Sequence, residues 1–325
     1  MKNNPLVSVI MITYNHEKYI KQAIEGVFMQ KCDFEIEFII SNDCSTDDTH
    51  EVIQKLITNY TGEINIRYYN HKKNKGVIPN STWSLSQANG KYIALCEGDD
   101  YWTDPLKLQK QVGFLEENED IGLVSTLREN FTQSSGITVK EPSLITDIQI
   151  CTFYEVVFGC RIATLTVLVR NSLIKDFVKL FTNNTEKISS YDYTIWIYIS
   201  YFSKIAILNE YTAVYRILKN SISHNKNKWN LKKEYFKDFL FLTNHFNLSE
   251  EVIIKKAIYL RAKSFYLIAI KAKDYNSCNN ILKILKQNKD YPRIVICTIV
   301  KKVPSSIPFF QFLERVNFKL KKHNV

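Results

Sequence analysis

The chain has 325 residues, 45% hydrophobic and 23% charged, which excludes wholesale disorder and leaves room for one large domain with an extension. Its net charge of +10 sits at one end: residues 225–325 hold 21 Lys and Arg against 7 Asp and Glu, a balance of +14, and residues 1–224 stand at −4. A basic tail fits nucleic acid, an anionic membrane surface or a solvated helical face, and the lack of any recognition signature argues against nucleic acid.

The first apolar run, Leu6–Tyr14, is short, lacks a small-residue cleavage site and passes straight into Asn15-His16-Glu17-Lys18, unlike a secretory signal. It reads as a first buried strand. The amphipathic segment 18–29 follows, then a second apolar run over 37–41. Ser45-Thr46-Asp47-Asp48 is a ready cap for a helix over 49–60. A third strand is expected over 64–69, a helix over 81–88, and a fourth strand over Tyr92–Cys96. Asp104-Pro105 then starts a helix running to about Glu117, with Pro in the first turn. Strands alternating with helices at this spacing imply a mainly parallel sheet covered on both faces, with ligands at the carboxyl ends of the strands.

Residues 121–126 and 164–169 read as further strands. Beyond Tyr215-Arg216 the pattern turns helical, with segments over 250–271, 275–287 and 309–320. A boundary is expected near residue 225, giving regions 1–224 and 225–325. The seven cysteines form no C-x-x-C pair and lie mostly in apolar runs, which fits a reducing cytoplasm. The six histidines show no HExxH spacing. No stretch approaches the roughly 20 apolar residues that span a bilayer, so the protein is expected in the cytoplasm, soluble or peripheral on the membrane.

Polar residues converge at the expected strand ends: Tyr14-Asn15, Asn42-Asp43, and Glu97-Gly98-Asp99-Asp100. The last places three carboxylates in four positions. Such charges raise one another's pKa unless a cation shares them, and hard oxygen ligands suit Mg²⁺ or Mn²⁺, which would in turn hold phosphate oxygens. An acidic surface turn is the plain alternative.

The residues Val7-Ser8-Val9-Ile10-Met11-Ile12-Thr13-Tyr14-Asn15, Ile40-Ser41-Asn42-Asp43-Cys44-Ser45-Thr46-Asp47, Gly90-Lys91-Tyr92-Ile93-Ala94, Glu97-Gly98-Asp99-Asp100-Tyr101-Trp102, Tyr191-Asp192-Tyr193 with Trp196, and Tyr215-Arg216 stand in one order. Together they resemble the family 2 glycosyltransferases of the GT-A fold over roughly residues 5–225. The resemblance implies an α/β nucleotide-binding sheet flanked by helices and an inverting transfer from a nucleotide-sugar donor, UDP-linked by preference. The acceptor would be a glycan or a lipid-linked glycan of the cell surface. It implies that Thr13, Tyr14 and Asn15 line the base pocket and that Asp43 accepts a hydrogen bond from the base. The local residues alone leave Tyr14 equally readable as the end of a core strand. Asp47 is assigned to helix capping.

Asp99 is expected to span ribose and metal and Asp100 to ligate the metal. Glu97 stands where the family has its first Asp, so it remains a third candidate ligand. Asp192 is the expected general base, its pKa raised by burial against Tyr191, Tyr193 and Trp196. Arg216 would grip phosphate bidentately and His224 would reach metal or phosphate. Lys75 either offsets phosphate charge or belongs to a solvated loop. The basic helices either meet an anionic membrane or pack as a plain extension. Two rival functions remain: a nucleotide-sugar binder without catalysis, and a nucleotidyltransferase, for which no Gly-rich phosphate loop is found.

Overall fold

A computed structural model describes residues 6–159, 161–184, 192–219 and 228–290, with scattered positions up to 302. The chain divides into two compact units, Met1–Asn225 and Lys226–Val325. The first opens with strand β1 (Val7–Thr13), helix α1 (Ile20–Phe28), β2 (Ile36–Asn42), α2 (Thr49–Thr58), β3 (Asn65–Asn70), α3 (Val77–Ser86) and β4 (Tyr92–Leu95). It continues with β5 (Tyr101–Trp102), α4 (Lys107–Glu117), β6 (Ile121–Thr132), β7 (Ile137–Lys140), β8 (Ile148–Cys151) and α5 (Phe153–Gly159). Strand β9 (Leu168–Arg170), α6 (Asn171–Thr182), α7 (Asp192–Phe202) and β10 (Lys204–Ile217) complete it.

The sheet runs β3-β2-β1-β4-β9-β6-β10-β5, with β7 beside β6 and β8 beside β10. Strands β3, β2, β1 and β4 are mutually parallel. The expected α/β sheet is therefore present, but it is mixed rather than mainly parallel. Strand β9 enters antiparallel between β4 and β6, and β5 and β8 pair antiparallel with β10. The expected strand over 164–169 splits into a 3₁₀ turn, Thr164–Thr166, and the short β9. The strand expected over 121–126 extends to Thr132.

The inner strands β1, β2 and β4 are buried along nearly their whole length and mostly apolar, as expected of strands covered on both faces. Val7, Val9, Met11, Phe38, Ile40, Tyr92 and Ala94 form one core with Ile20, Ile24, Leu108 and Trp102. Glu37 is the one charged residue inside β2. Its carboxylate accepts from Arg67 at 2.8 Å and from the Asn89 backbone N–H at 2.6 Å, which satisfies a charge that is 1% exposed.

Parallel pairing brings the carboxyl ends of β1, β2 and β3 to one edge, with Thr13 opposite Asn42 and Asn42 opposite Asn70. Strand β4 ends at Leu95 opposite Ile10, so the Glu97–Asp100 turn lies beside the last residues of β1. Helix α3 begins four residues earlier than expected. Its start is set from 33 positions upstream, where both Asp43 carboxylate oxygens hold the backbone N–H groups of Lys75 (2.8 Å) and Gly76 (2.9 Å).

The second unit contains α8 (Lys228–His245), α9 (Val252–Lys271) and α10 (Tyr275–Gln287). Ala262, Tyr266 and Ala269 pack with Cys278, Ile281 and Leu285 at its core. Asp274 caps α10 through the Ser277 N–H at 3.0 Å and pairs with Lys233 at 2.9 Å. The helix expected over 309–320 lies outside the described residues. Among those described, no helix is long and apolar enough to cross a membrane.

Candidate functional site

The loops after β1 and β2 are laced together by hydrogen bonds. Asn15 N–H donates to Ser45 Oγ (2.9 Å), His16 N–H to Thr49 Oγ1 (2.8 Å) and Glu17 N–H to Asp47 Oδ2 (3.1 Å). Asn15 Oδ1 in turn accepts from the Thr46 N–H at 2.8 Å. Asn15 and Cys44, each two residues past its strand, adopt left-handed φ values of 56° and 62°. Such strain persists only where the surroundings enforce it. Asp47 accepts from the Thr49 N–H at 3.1 Å, the capping role expected of it.

Thr13 is buried and its Oγ1 lies 3.2 Å from His16 Nδ1, whereas Tyr14 is 43% exposed. Asp43 is 3% exposed, and both its oxygens are engaged by the Lys75-Gly76 turn. The carboxylate expected to read a base thus first shapes the loop that bears Lys75. The Lys75 ammonium is exposed, 4.4 Å over the Trp83 ring and 3.4 Å from His71 Nε2.

The Glu97–Asp100 turn is folded against β1, with the Gly98 N–H bonded to Ile12 O at 3.0 Å. A Cβ on Gly98 would fall 2.6 Å from Thr13 Oγ1 and 3.0 Å from His16 Nδ1, so only glycine lets the turn sit this close. Asp99 is at the rim, its Oδ2 3.9 Å from His16 Nε2. Burial lowers the His16 pKa, opposed by Asp99 and Asp47. His16 was not singled out from the sequence, although it follows Tyr14-Asn15 in the same turn.

Asp100 faces inward. It is 3% exposed and its Oδ1 accepts from the Arg216 backbone N–H at 2.7 Å, which suits a structural pin better than an exposed metal ligand. Glu97 has an Oε2 that is sealed from solvent and has no hydrogen-bond partner among the described residues. Burial first, then the charges of Asp99 and Asp192, pushes its pKa up to about 8, with Arg128 opposing. The Asp100 pKa is likewise raised, by burial and then by Asp99 and Glu97.

The expected phosphate grip of Arg216 is corrected by the structure. The residue is 5% exposed, and its guanidinium donates to Asp99 O (2.8 Å), Gln133 Oε1 (2.9 Å) and Gln22 Oε1 (2.7 Å). Tyr19 and Tyr101 lie within about 5 Å of it. These commitments leave it holding the acidic turn from behind.

Asp192 is the first residue of α7, and its charge acts on Glu97. It is exposed, which departs from the expected burial, since Trp196 is packed away at 4% exposure and Tyr191 lies outside the described residues. His224 also lies outside them. Among the described residues no three His, Cys, Asp or Glu side chains form a closed ion cage. The donor set nonetheless fits a hard divalent cation. Glu97 brings an orphaned oxygen and Asp99 a rim carboxylate, and phosphate oxygens and water would complete the shell.

Residues 8–174 match the family model for glycosyl transferase family 2. The chain is 44% identical over 114 residues to an uncharacterized protein of Mycobacterium bovis, a match covering 35% of this chain and 32% of that protein, so it spans about a third of the first curated relatives' length. It is 29% identical over 229 residues to the Escherichia coli UDP-Glc:alpha-D-GlcNAc-diphosphoundecaprenol beta-1,3-glucosyltransferase WfaP, covering 69% of this chain and 82% of that one. The structure of S. aureus TarS 1-349 in complex with UDP superposes with a TM-score of 0.65 at 17% identity, over 91% of this chain and 87% of that one, a likeness of fold.

Proposed function

Because the chain belongs to glycosyl transferase family 2, we propose that it transfers a sugar, with inversion, from a UDP-linked donor to a hydroxyl of a glycan or lipid-linked glycan. The observation that carries this reading is a sealed Glu97 oxygen with no hydrogen-bond partner among the described residues, in one turn with the carboxylates of Asp99 and Asp100. Acidic groups held this way call for a cationic partner or a shared proton.

In this reading the acceptor oxygen bonds to the anomeric carbon as the bond from that carbon to the β-phosphate oxygen breaks. The nucleoside diphosphate leaves with the electron pair, and Asp192 takes the acceptor's proton. Exposure at the start of α7 keeps Asp192 reachable by a large acceptor. Glu97 and Asp99 would hold a divalent cation, Mn²⁺ or Mg²⁺, with Asp100 and His224 as the remaining candidates. When bound, that ion supplies Lewis-acid neutralisation of the departing diphosphate. Arg216 and Gly98 fix the turn that carries these carboxylates.

Tyr14 stacks on the base, Thr13 and Asn15 shape the pocket floor, and Asp43 positions Lys75 toward the phosphates. Likeness to a UDP-bound structure and to a transferase acting on a diphosphoundecaprenol-linked glycan supports the donor and the acceptor class. Residues 1–224 form the transferase domain of this reading. The basic region 225–325 holds the enzyme at the cytoplasmic, anionic face of a membrane.

Screening UDP-, GDP- and dTDP-sugars with Mn²⁺ for slow donor hydrolysis tests the assignment. Hydrolysis of one donor class is expected. Donor uptake with neither hydrolysis nor transfer identifies a binding protein, and pyrophosphate exchange with a nucleoside triphosphate identifies a nucleotidyltransferase. Association with anionic vesicles should weaken as salt rises.

A further inference from the structure

The two arginines that meet around the acidic turn differ in how far they are committed. Arg216 on β10 has each of its three guanidinium nitrogens engaged, as described. Arg128 lies on the neighbouring strand β6, opposite Ala213. Its side chain is 26% exposed, and its Nε stands 3.5 Å from Glu141 Oε1, an ion pair too long to count as a hydrogen bond. The guanidinium stacks 4.7 Å over the Tyr215 ring. Its backbone N–H donates to Glu141 Oε2 at 3.3 Å. Among the described residues nothing accepts a hydrogen bond from its terminal nitrogens. This is a planar cation fixed by stacking, with its donor fork left open, and a fork of that shape matches phosphate or carboxylate oxygens.

Sheet order says which ligand meets it. The loops assigned to the nucleotide follow β1, β2 and β3, whereas Arg128 sits two strands beyond β4, across the acidic turn from them. Helix α7, which Asp192 opens, packs against β6, the strand that carries Arg128. Arg128 therefore belongs to the side where the acceptor hydroxyl approaches its base.

We propose that Arg128 selects acceptors by gripping an anionic group, phosphate or carboxylate, carried next to the hydroxyl that is glycosylated. This specificity-determining role rests on the transferase reading above.

The test uses the full chain with the donor found by the hydrolysis screen. Three acceptors are compared: an octyl diphosphate-linked N-acetylglucosamine, a methyl glucuronide and a methyl glucoside. The wild type should prefer a charged acceptor, and R128Q should cut the ratio of kcat/KM for charged over neutral acceptor by about tenfold, with partial recovery in R128K. Preference for the diphosphate alone makes the ligand a phosphate, and preference for the glucuronide makes it a carboxylate. Either outcome supports the proposal. A wild type with no preference overturns it, as does an unchanged ratio in R128Q. A higher donor KM at an unchanged ratio assigns Arg128 to the donor diphosphate, which also overturns it. A wild type that hydrolyses no donor removes the transferase reading, and this assignment with it.

Discussion

The loops that follow β1 and β2 and the turn that follows β4 lie side by side at one edge of the sheet, yet they are built on opposite principles. In the first, every polar group discussed has a partner: Asn15, His16 and Glu17 are tied to Ser45, Thr49 and Asp47, and Asp43 satisfies two backbone N–H groups. In the second, Glu97 keeps a sealed oxygen with no partner beside two further carboxylates. The satisfied loops supply shape whether or not a ligand is present. The unsatisfied turn is held in place by the surrounding fold, and on the proposed reading a cation would relieve it.

Three substitutions probe that contrast. Asp192→Asn removes the proposed proton acceptor and should lower transfer by about 10²–10⁴-fold. UDP affinity by titration calorimetry should change little, and unchanged turnover would end its assignment as the base. Asp43→Ala strips two charge-assisted bonds from a site that is 3% exposed, and should cost about 2–3 kcal/mol in urea unfolding. Intact stability with lost donor binding would mean that Asp43 serves the ligand and not the loop, breaking the contrast. Glu97→Gln has the opposite sign, a stabilisation in cation-free buffer that grows as pH rises from 4.5 toward 8.

The sign of the Glu97 effect follows from its titration. Its folded pKa of about 8 lies above its ordinary 4.5. Its contribution in the cation-free chain is thus fully present below pH 4.5 and is lost as pH rises through 8. The stability of wild type relative to Glu97→Gln should fall across that window, a difference that isolates Glu97 from other titrating groups. Added Mn²⁺ should raise the wild-type Tm more than the variant's.

Much of this was legible in the residues. Continuous apolar runs marked β1, β2 and β4, and turn chemistry placed the polar strand ends where a ligand would meet them. The local signals failed where long-range contacts decide. Helix α3 starts at Val77 because Asp43 holds the loop before it, a pairing no window of sequence contains. Strand β9 enters antiparallel, which apolar periodicity cannot tell from parallel. Arg216 looked like a ligand-binding arginine because its three acceptors, Asp99 O, Gln133 and Gln22, come from positions far along the chain. His16 became notable only once Asp99, 83 positions away, stood beside it.

The threefold anchoring of the Arg216 guanidinium has a practical consequence. It clamps α1, the segment after β6 and the backbone of the acidic turn to one point, so truncating it would loosen all three together. An alanine scan scored by turnover would rank it with the residues that touch substrate, although its fault would be a slack scaffold. Measuring thermal stability beside turnover separates the two, since a clamp fails in both readouts and a substrate contact in one.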